Sequence, residues 1–302
     1  MQVKEMKADI ASNVFYDLFP LITCLEQAAT GFIFTEGPAW DKTDGSLVFS
    51  DIKANTIYRL KEQNNLSVVR RPSGMSNGLA FDAEQRLIAC EHAGRRLSLY
   101  SLYDPIGPIV TLADRYEGKR LNSPNDVIVA SDHSIYFTDP NYGLVNELQA
   151  PKAQEQLFQG VYRLSPSGKL TLLINDFAGP NGLALSPDER KLYVSDTERQ
   201  HIRVFDLDEQ GRLVNGRLFA KLDVSKGEGV PDGLKVDAEG HVYCAGPGGV
   251  WVFEPDGSII GLLKIPEITT NLTWGGVSGR TMYITATSSV YKIPVGVTKA
   301  GL

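Results

Sequence analysis

Six short segments of one kind recur along the chain: Thr35-Glu36-Gly37-Pro38, Ser76-Asn77-Gly78-Leu79, Pro124-Asn125-Asp126-Val127, Pro180-Asn181-Gly182-Leu183, Pro231-Asp232-Gly233-Leu234 and Thr270-Asn271-Leu272. Each sets one carboxylate or amide just before an apolar, strand-like run, at intervals of 41, 48, 56, 51 and 39 residues. A strand-built repeat of that length is the mark of a β-propeller, whose blades pack radially around an axis. The expected fold is therefore all-β: a six-bladed propeller of four-stranded antiparallel blades. If the repeats superpose, six polar side chains converge on the central channel.

The fourth repeat gives the pattern in full. Asn181–Ser186, the turn Pro187–Arg190 and Lys191–Asp196 read as strand, polar turn, strand, each with period-2 alternation; His201–Asp206 and Gly216–Ala220 complete the blade. The last repeat is short by one outer strand, and Leu21–Leu25 is the natural donor, so that an N-terminal strand closes the ring and removes an exposed edge. Residues 1–302 then read as one propeller domain with an N-terminal extension over 1–20, a short helix near 10–19, and a long polar loop over 141–159 between the second and third strands of blade three.

Bulk properties exclude several classes. The chain of 302 residues carries a formal charge of −6 and no lysine/arginine stripe, which argues against a nucleic-acid partner. No run of about 18 apolar residues offers a membrane span, and the apolar patch after the polar N-terminus is broken by Asp17 and Pro20, unlike a signal-peptide core. Three cysteines without CxxC spacing fit reduced thiols, with Cys90 and Cys244 as core residues, and a cytoplasmic location. Oligomeric state is left open.

Asn-Gly and Asp-Gly are also hairpin-turn signals. Here, however, the turns fall later in each repeat (Asp41–Gly45, Ser186–Arg190, Asp237–Gly240), and Glu36 is a poor turn residue. An oxygen-only set with no His or Cys suits a hard cation, calcium first, since it takes six to eight oxygen ligands in loose geometry. Glu36 and Asp232 balance a divalent charge, and the amides of Asn125 and Asn181 add ligands without further repulsion. Magnesium, zinc or manganese are the alternatives. Asp126 replaces the Gly that follows Asn77 and Asn181; it reads as a ligand orienter, a general base, or a buried Asp bonding backbone amides. Asp51, Asp139 and Asp196 end second strands and read as caps of the following turn. Of the four histidines, His92 lies near the site end of blade two and is a candidate substrate contact, while His133 and His241 fall in turns expected to be solvated. No nucleophile-elbow Ser or Cys is present.

Phe34–Trp40, Arg120–Asp126, Pro180–Leu183 with Tyr193–Thr197, and Pro231–Leu234 together resemble the gluconolactonase family that includes regucalcin, over about Gly31 to Ile293. The resemblance implies a divalent metal, usually calcium, held by Glu36, Asn181 and Asp232, with Asn125 on metal or substrate and Asp232 in proton transfer. Regucalcin-type members carry Arg two residues before the Asn that matches Asn125, where this chain has Ser123; Arg120 stands one strand-turn earlier. The function implied is hydrolysis of a sugar lactone such as gluconolactone, with Asp232 or Asp126 as base and Asn125, Asn77, Arg120 and His92 as substrate contacts. Phosphoester or organophosphate hydrolysis on the same metal, and a non-catalytic calcium- or partner-binding propeller, are the competing readings.

Overall fold

Each repeat folds into an antiparallel sheet in the computed structural model, which describes residues 3–20, 23–61, 65–104, 107–145 and 153–300. Blade one comprises Thr35–Asp41, Ser46–Asp51, Thr56–Lys61 and Asn65–Arg70; blade two Ser76–Phe81, Leu87–Glu91, Arg96–Tyr100 and Val110–Ala113. Blade three comprises Val127–Val129, Ile135–Asp139, Gln159–Leu164 and Leu170–Phe177; blade four Pro180–Leu185, Lys191–Asp196, His201–Leu207 and Leu213–Lys221. Leu234–Val236, Val242–Gly246, Gly249–Phe253 and Ile259–Lys264 form blade five, and Thr269–Gly275, Thr281–Ala286 and Ser289–Pro294 the first three strands of blade six. The first strands lie innermost and touch their neighbours around the axis. The six-bladed architecture expected from the repeats is the one formed.

One apolar cluster fills each junction between blades. Ala39, Val48 and Ile57 of blade one, for example, meet Leu79, Leu87 and Ala89 of blade two, and Leu183, Leu192 and Val194 of blade four meet Tyr136 and Val161 of blade three. This is why strands alternate so strictly: one face packs the preceding blade and the other the following one. Cys90 and Cys244 are buried among them.

The ring closes through an N-terminal strand, but later in the chain than the sequence suggests. Cys24–Thr30 pairs with Ser289–Pro294. Thr23 donates both its backbone N–H (2.9 Å) and its hydroxyl (2.8 Å) to the Pro20 carbonyl. That turn delays the strand; Leu21 and Ile22 lie outside the described residues. The extension is also more than an appendage. Val3–Glu5 adds a fifth strand to blade six and Ala8–Ile10 a fifth to blade five. The helix Val14–Leu18 follows, with Phe15, Leu18 and Phe19 buried against blades five and six. Among the described residues no helix is long and apolar enough to cross a membrane.

Candidate active site

The side chains gather where the inner strands begin. In blades one, two and four the pairing register shifts at the repeat's polar residue, between Glu36 and Ala39, Ser76 and Leu79, and Pro180 and Leu183. A bulge of this kind re-aims a side chain, and here it turns the polar residue toward the axis. The glycine that follows has a purpose the turn reading does not supply. A Cβ on Gly182 would collide with the Asp232 carbonyl, and one on Gly37, whose φ is +52°, with the Asn77 carbonyl. A Cβ on Gly78 would stand 2.6 Å from the Asn125 carbonyl. Glycine is thus what lets the next blade's polar residue approach. Hydroxyls of the second strands complete the contact: Ser50 donates to the Asn77 carbonyl (2.7 Å), Thr138 to that of Asn181 (2.7 Å) and Ser195 to that of Asp232 (2.8 Å).

Glu36, Asn77, Asn125 and Asn181 are buried at this level, and Asp232 is half-buried beside them. Glu36 and Asp232 share a hydrogen bond, and Asn181 bonds Asp232. Burial, then the charge of Asp126, pushes the Glu36 carboxyl up to about 7. Burial, then the charge of Glu36, raises Asp232 well above the usual carboxylate range. Two carboxyls that face each other out of water repel unless a proton or a cation lies between them. Thr197 accepts the side-chain N–H of Asn181 (3.0 Å), which leaves the amide oxygen available. Among the described residues no three His, Cys, Asp or Glu side chains form a metal-holding group. The set reaches four oxygen donors by counting Asn125 and Asn181, a composition that fits a hard cation.

Asn271 departs from the expected ring. The Gly78 N–H donates to the Asn125 carbonyl and the Gly233 N–H to the Thr270 carbonyl, both at 2.8 Å, so Thr270, not Asn271, holds the place equivalent to Asn125. Asn271 lies one residue deeper, level with Asp126. There its amide donates to Glu36 Oε2 (3.1 Å) and Asp126 Oδ2 (3.5 Å). Deeper still is Lys235, which sequence reasoning missed. Its Nζ donates to the Leu234 carbonyl (3.0 Å), Asn271 Oδ1 (3.2 Å) and Asp126 Oδ2 (3.5 Å). Asp126 also takes the Val127 N–H at 2.9 Å. The available signal was register: the other blades carry Ala39, Ala80, Ile128, Ala184 and Thr273 where blade five carries Lys235.

His92 joins the site. Its Nε2 lies 3.4 Å from Asn77 Nδ2, and burial lowers its pKa to about 4, so the ring is neutral near pH 7. Gly143 packs on His92 and Ser123, so the first turn of the long blade-three loop, Tyr142–Leu144, covers this side of the site. The Tyr142 hydroxyl lies against Gly179. Residues 146–152 of that loop lie outside the described residues. Arg120 is a correction: its guanidinium donates to the Gly94 carbonyl (2.6 Å) and its backbone N–H to Glu155 (2.8 Å), which places it on the joint of blades two and three rather than among the channel side chains. His241 is another. It is buried and meets Asp237 Oδ2 at 2.8 Å, because the turn carboxylate needs a donor. The strand-end carboxylates are caps, mainly of the loop before their own blade: Asp51 takes the N–H groups of Ile33 and Phe34, Asp139 that of Asn122, and Asp196 those of Ala178 and Gly179.

Comparison with known proteins agrees with this architecture. Residues 34–288 match the model of the SMP-30/gluconolactonase/LRE-like region. The chain is 34% identical to a gluconolactonase of Zymomonas mobilis over 295 residues, covering 90% of this chain and 81% of that one. It is 25% identical to a pentonolactonase of Haloferax volcanii, covering 83% and 80%. A solved gluconolactonase from Xanthomonas campestris superposes with a TM-score of 0.90 at 33% identity, covering 98% of each chain. A six-bladed ring and a match over most of its length make this chain a member of the SMP-30/gluconolactonase/LRE-like family.

Proposed function

We propose that the protein is a lactone hydrolase, a carboxylic ester hydrolase that opens a sugar lactone of the gluconolactone type and depends on a divalent cation, calcium first. The observation that carries this reading is the pair Glu36 and Asp232, bonded to each other beside Asn181 where the inner strands begin, in a chain similar to gluconolactonases over nearly its full length. Glu36, Asn125, Asn181 and Asp232 are the residues that would hold the cation. Once bound, it would supply Lewis acidity toward the lactone carbonyl and orient the attacking water.

The chain's own groups divide the remaining work. Asp126 is committed to Lys235, Asn271 and the Val127 N–H, which makes it a poor base and a good positioning group. Asp232 has only Glu36 and Asn181 as its partners among the described residues, so it is the carboxylate left free to carry a proton from water to the ring oxygen that leaves. Such a role contributes typically about 10²–10⁴-fold. Neutral His92, beside Asn77, can exchange one hydrogen bond with a sugar hydroxyl. Asn77, Asn125 and Tyr142 line the same mouth.

A pH-stat assay tests the reading. Chelated protein should lose turnover of gluconolactone and regain it when calcium, magnesium, zinc or manganese is returned. Glu36→Gln and Asp232→Asn should remain folded and lose turnover. Hydrolysis that survives chelation would remove the cation from the mechanism, and full activity in either variant would remove the site.

A further inference from the structure

At the opposite end of the channel from the carboxylates a cavity of about 440 Å³ opens to solvent. Its inner wall is the set Ala39, Ala80, Ala184 and Lys235, each three residues beyond its blade's site residue, so Lys235 separates the two mouths. The carboxylates of the cavity are already engaged. Asp82 is taken by Arg86 at 2.7 Å, and Glu189 by the N–H (2.9 Å) and hydroxyl (2.7 Å) of Ser131. Donors are in surplus. Lys42 and Lys299 line the cavity and have no ion-pair partner among the described residues. The indole N–H of Trp274, buried on the same wall, has no hydrogen-bond partner among them either.

Lys299 is held there by structure. The tail is fixed by the Ala238 N–H on the Thr298 carbonyl (2.9 Å), the Ala300 N–H on the Val236 carbonyl (3.1 Å) and the bridge between Asp237 and Lys299. Burial, with the charges of Lys235 and Lys42 beside it, lowers the Lys299 ammonium to about 8. An ammonium partly withdrawn from water near two others gains from a bound anion. From these unmatched donors we infer that the mouth of the channel remote from the carboxylates is a second binding site, for a small oxyanion held by Lys299 and Lys42. Inorganic phosphate and the carboxylate of a sugar acid share the chemistry required, and the latter is the product class of the proposed reaction.

Calorimetric titration of the full chain in metal-free, low-salt buffer, with inorganic phosphate and separately with gluconate, tests this. Saturable binding should weaken about tenfold or more in Lys299→Gln, as expected for loss of one charged hydrogen bond. It should recover in Lys299→Arg and persist in Asp232→Asn. Lys299→Gln should still hydrolyse lactone, which separates this site from the catalytic reading. Tighter binding of phosphate would identify an inorganic ligand, and tighter binding of gluconate a product site; either supports the inference. No saturable binding of either anion, equal binding in Lys299→Gln, or loss of binding in Asp232→Asn would overturn it.

Discussion

Lys235 and Gly182 show how single residues set the chemistry of the channel. The Lys235 ammonium neutralises Asp126 in a setting where both are nearly buried, 3.5 Å apart. Removing one partner of such a pair leaves an uncompensated charge, at a cost of about 3–5 kcal/mol. Lys235→Met should therefore lower the urea midpoint markedly and reduce lactone turnover at least tenfold, because Asn271 and Asp126 lose their fixed arrangement. Gly182→Ala should leave blade four folded yet displace Asp232, a loss of turnover larger than its loss of stability; activity equal to the parent would refute the close-approach role. The carboxyls also make a pH prediction. Glu36 and Asp139, each at about 7, and Asp232 bind protons more tightly in the folded chain. The stability they confer is complete below their unfolded values and lost as pH climbs through the folded ones. Surface aspartates such as Asp44 and Asp132, held below the usual range, are already ionised above pH 5. Thermal melts of chelated protein should accordingly fall between pH 5 and 7, and Glu36→Gln should flatten that slope.

Among the elements, the N-terminal extension differs most from what its sequence suggests. Its strands are three residues each and its helix five, too short to carry a periodic signal. Only the tertiary contacts reveal that Phe15 packs on Phe19, with ring centroids 4.8 Å apart, under blade five. Phe15→Ala should cost about 3–5 kcal/mol in urea unfolding, the range for a buried aromatic; a loss below about 1 kcal/mol would mean that the clasp is dispensable. The repeated strands, by contrast, were legible because each combines alternation with a turn. Blade four appears at nearly its expected boundaries.

The legible part of the site follows the same division. Glu36, Asn77, Asn125, Asn181 and Asp232 stand out because the repeat puts one polar residue at one register. Asn271 was displaced by a residue because Leu272 imitates the apolar position after the missing Gly. Lys235 was invisible for another reason: a lysine inside a strand reads as a solvent-facing residue until Ala39, Ala80 and Ala184 show that register to face the axis. Arg120 failed because sequence proximity to Asn125 says nothing about where a hairpin carries its tip.

For the whole molecule, closure decides behaviour. Cys24–Thr30 joins the start of the chain to its end, and Ala28 and Phe32 sit in the cluster with Phe49 and Val290 that bridges blades six and one. Ala28→Asp would bury an unpartnered carboxylate there. The outcome expected is loss of the single cooperative melt, with blades six and one exchanging amide hydrogens first. The second-strand hydroxyls add a further tie, since Ser50, Thr138 and Ser195 each steady a residue that belongs to the next blade. No blade is thus a self-sufficient module. A segment transplanted between relatives would bring its own cage residue but leave the support for that residue behind on the host, so swaps should succeed in adjacent pairs more often than singly.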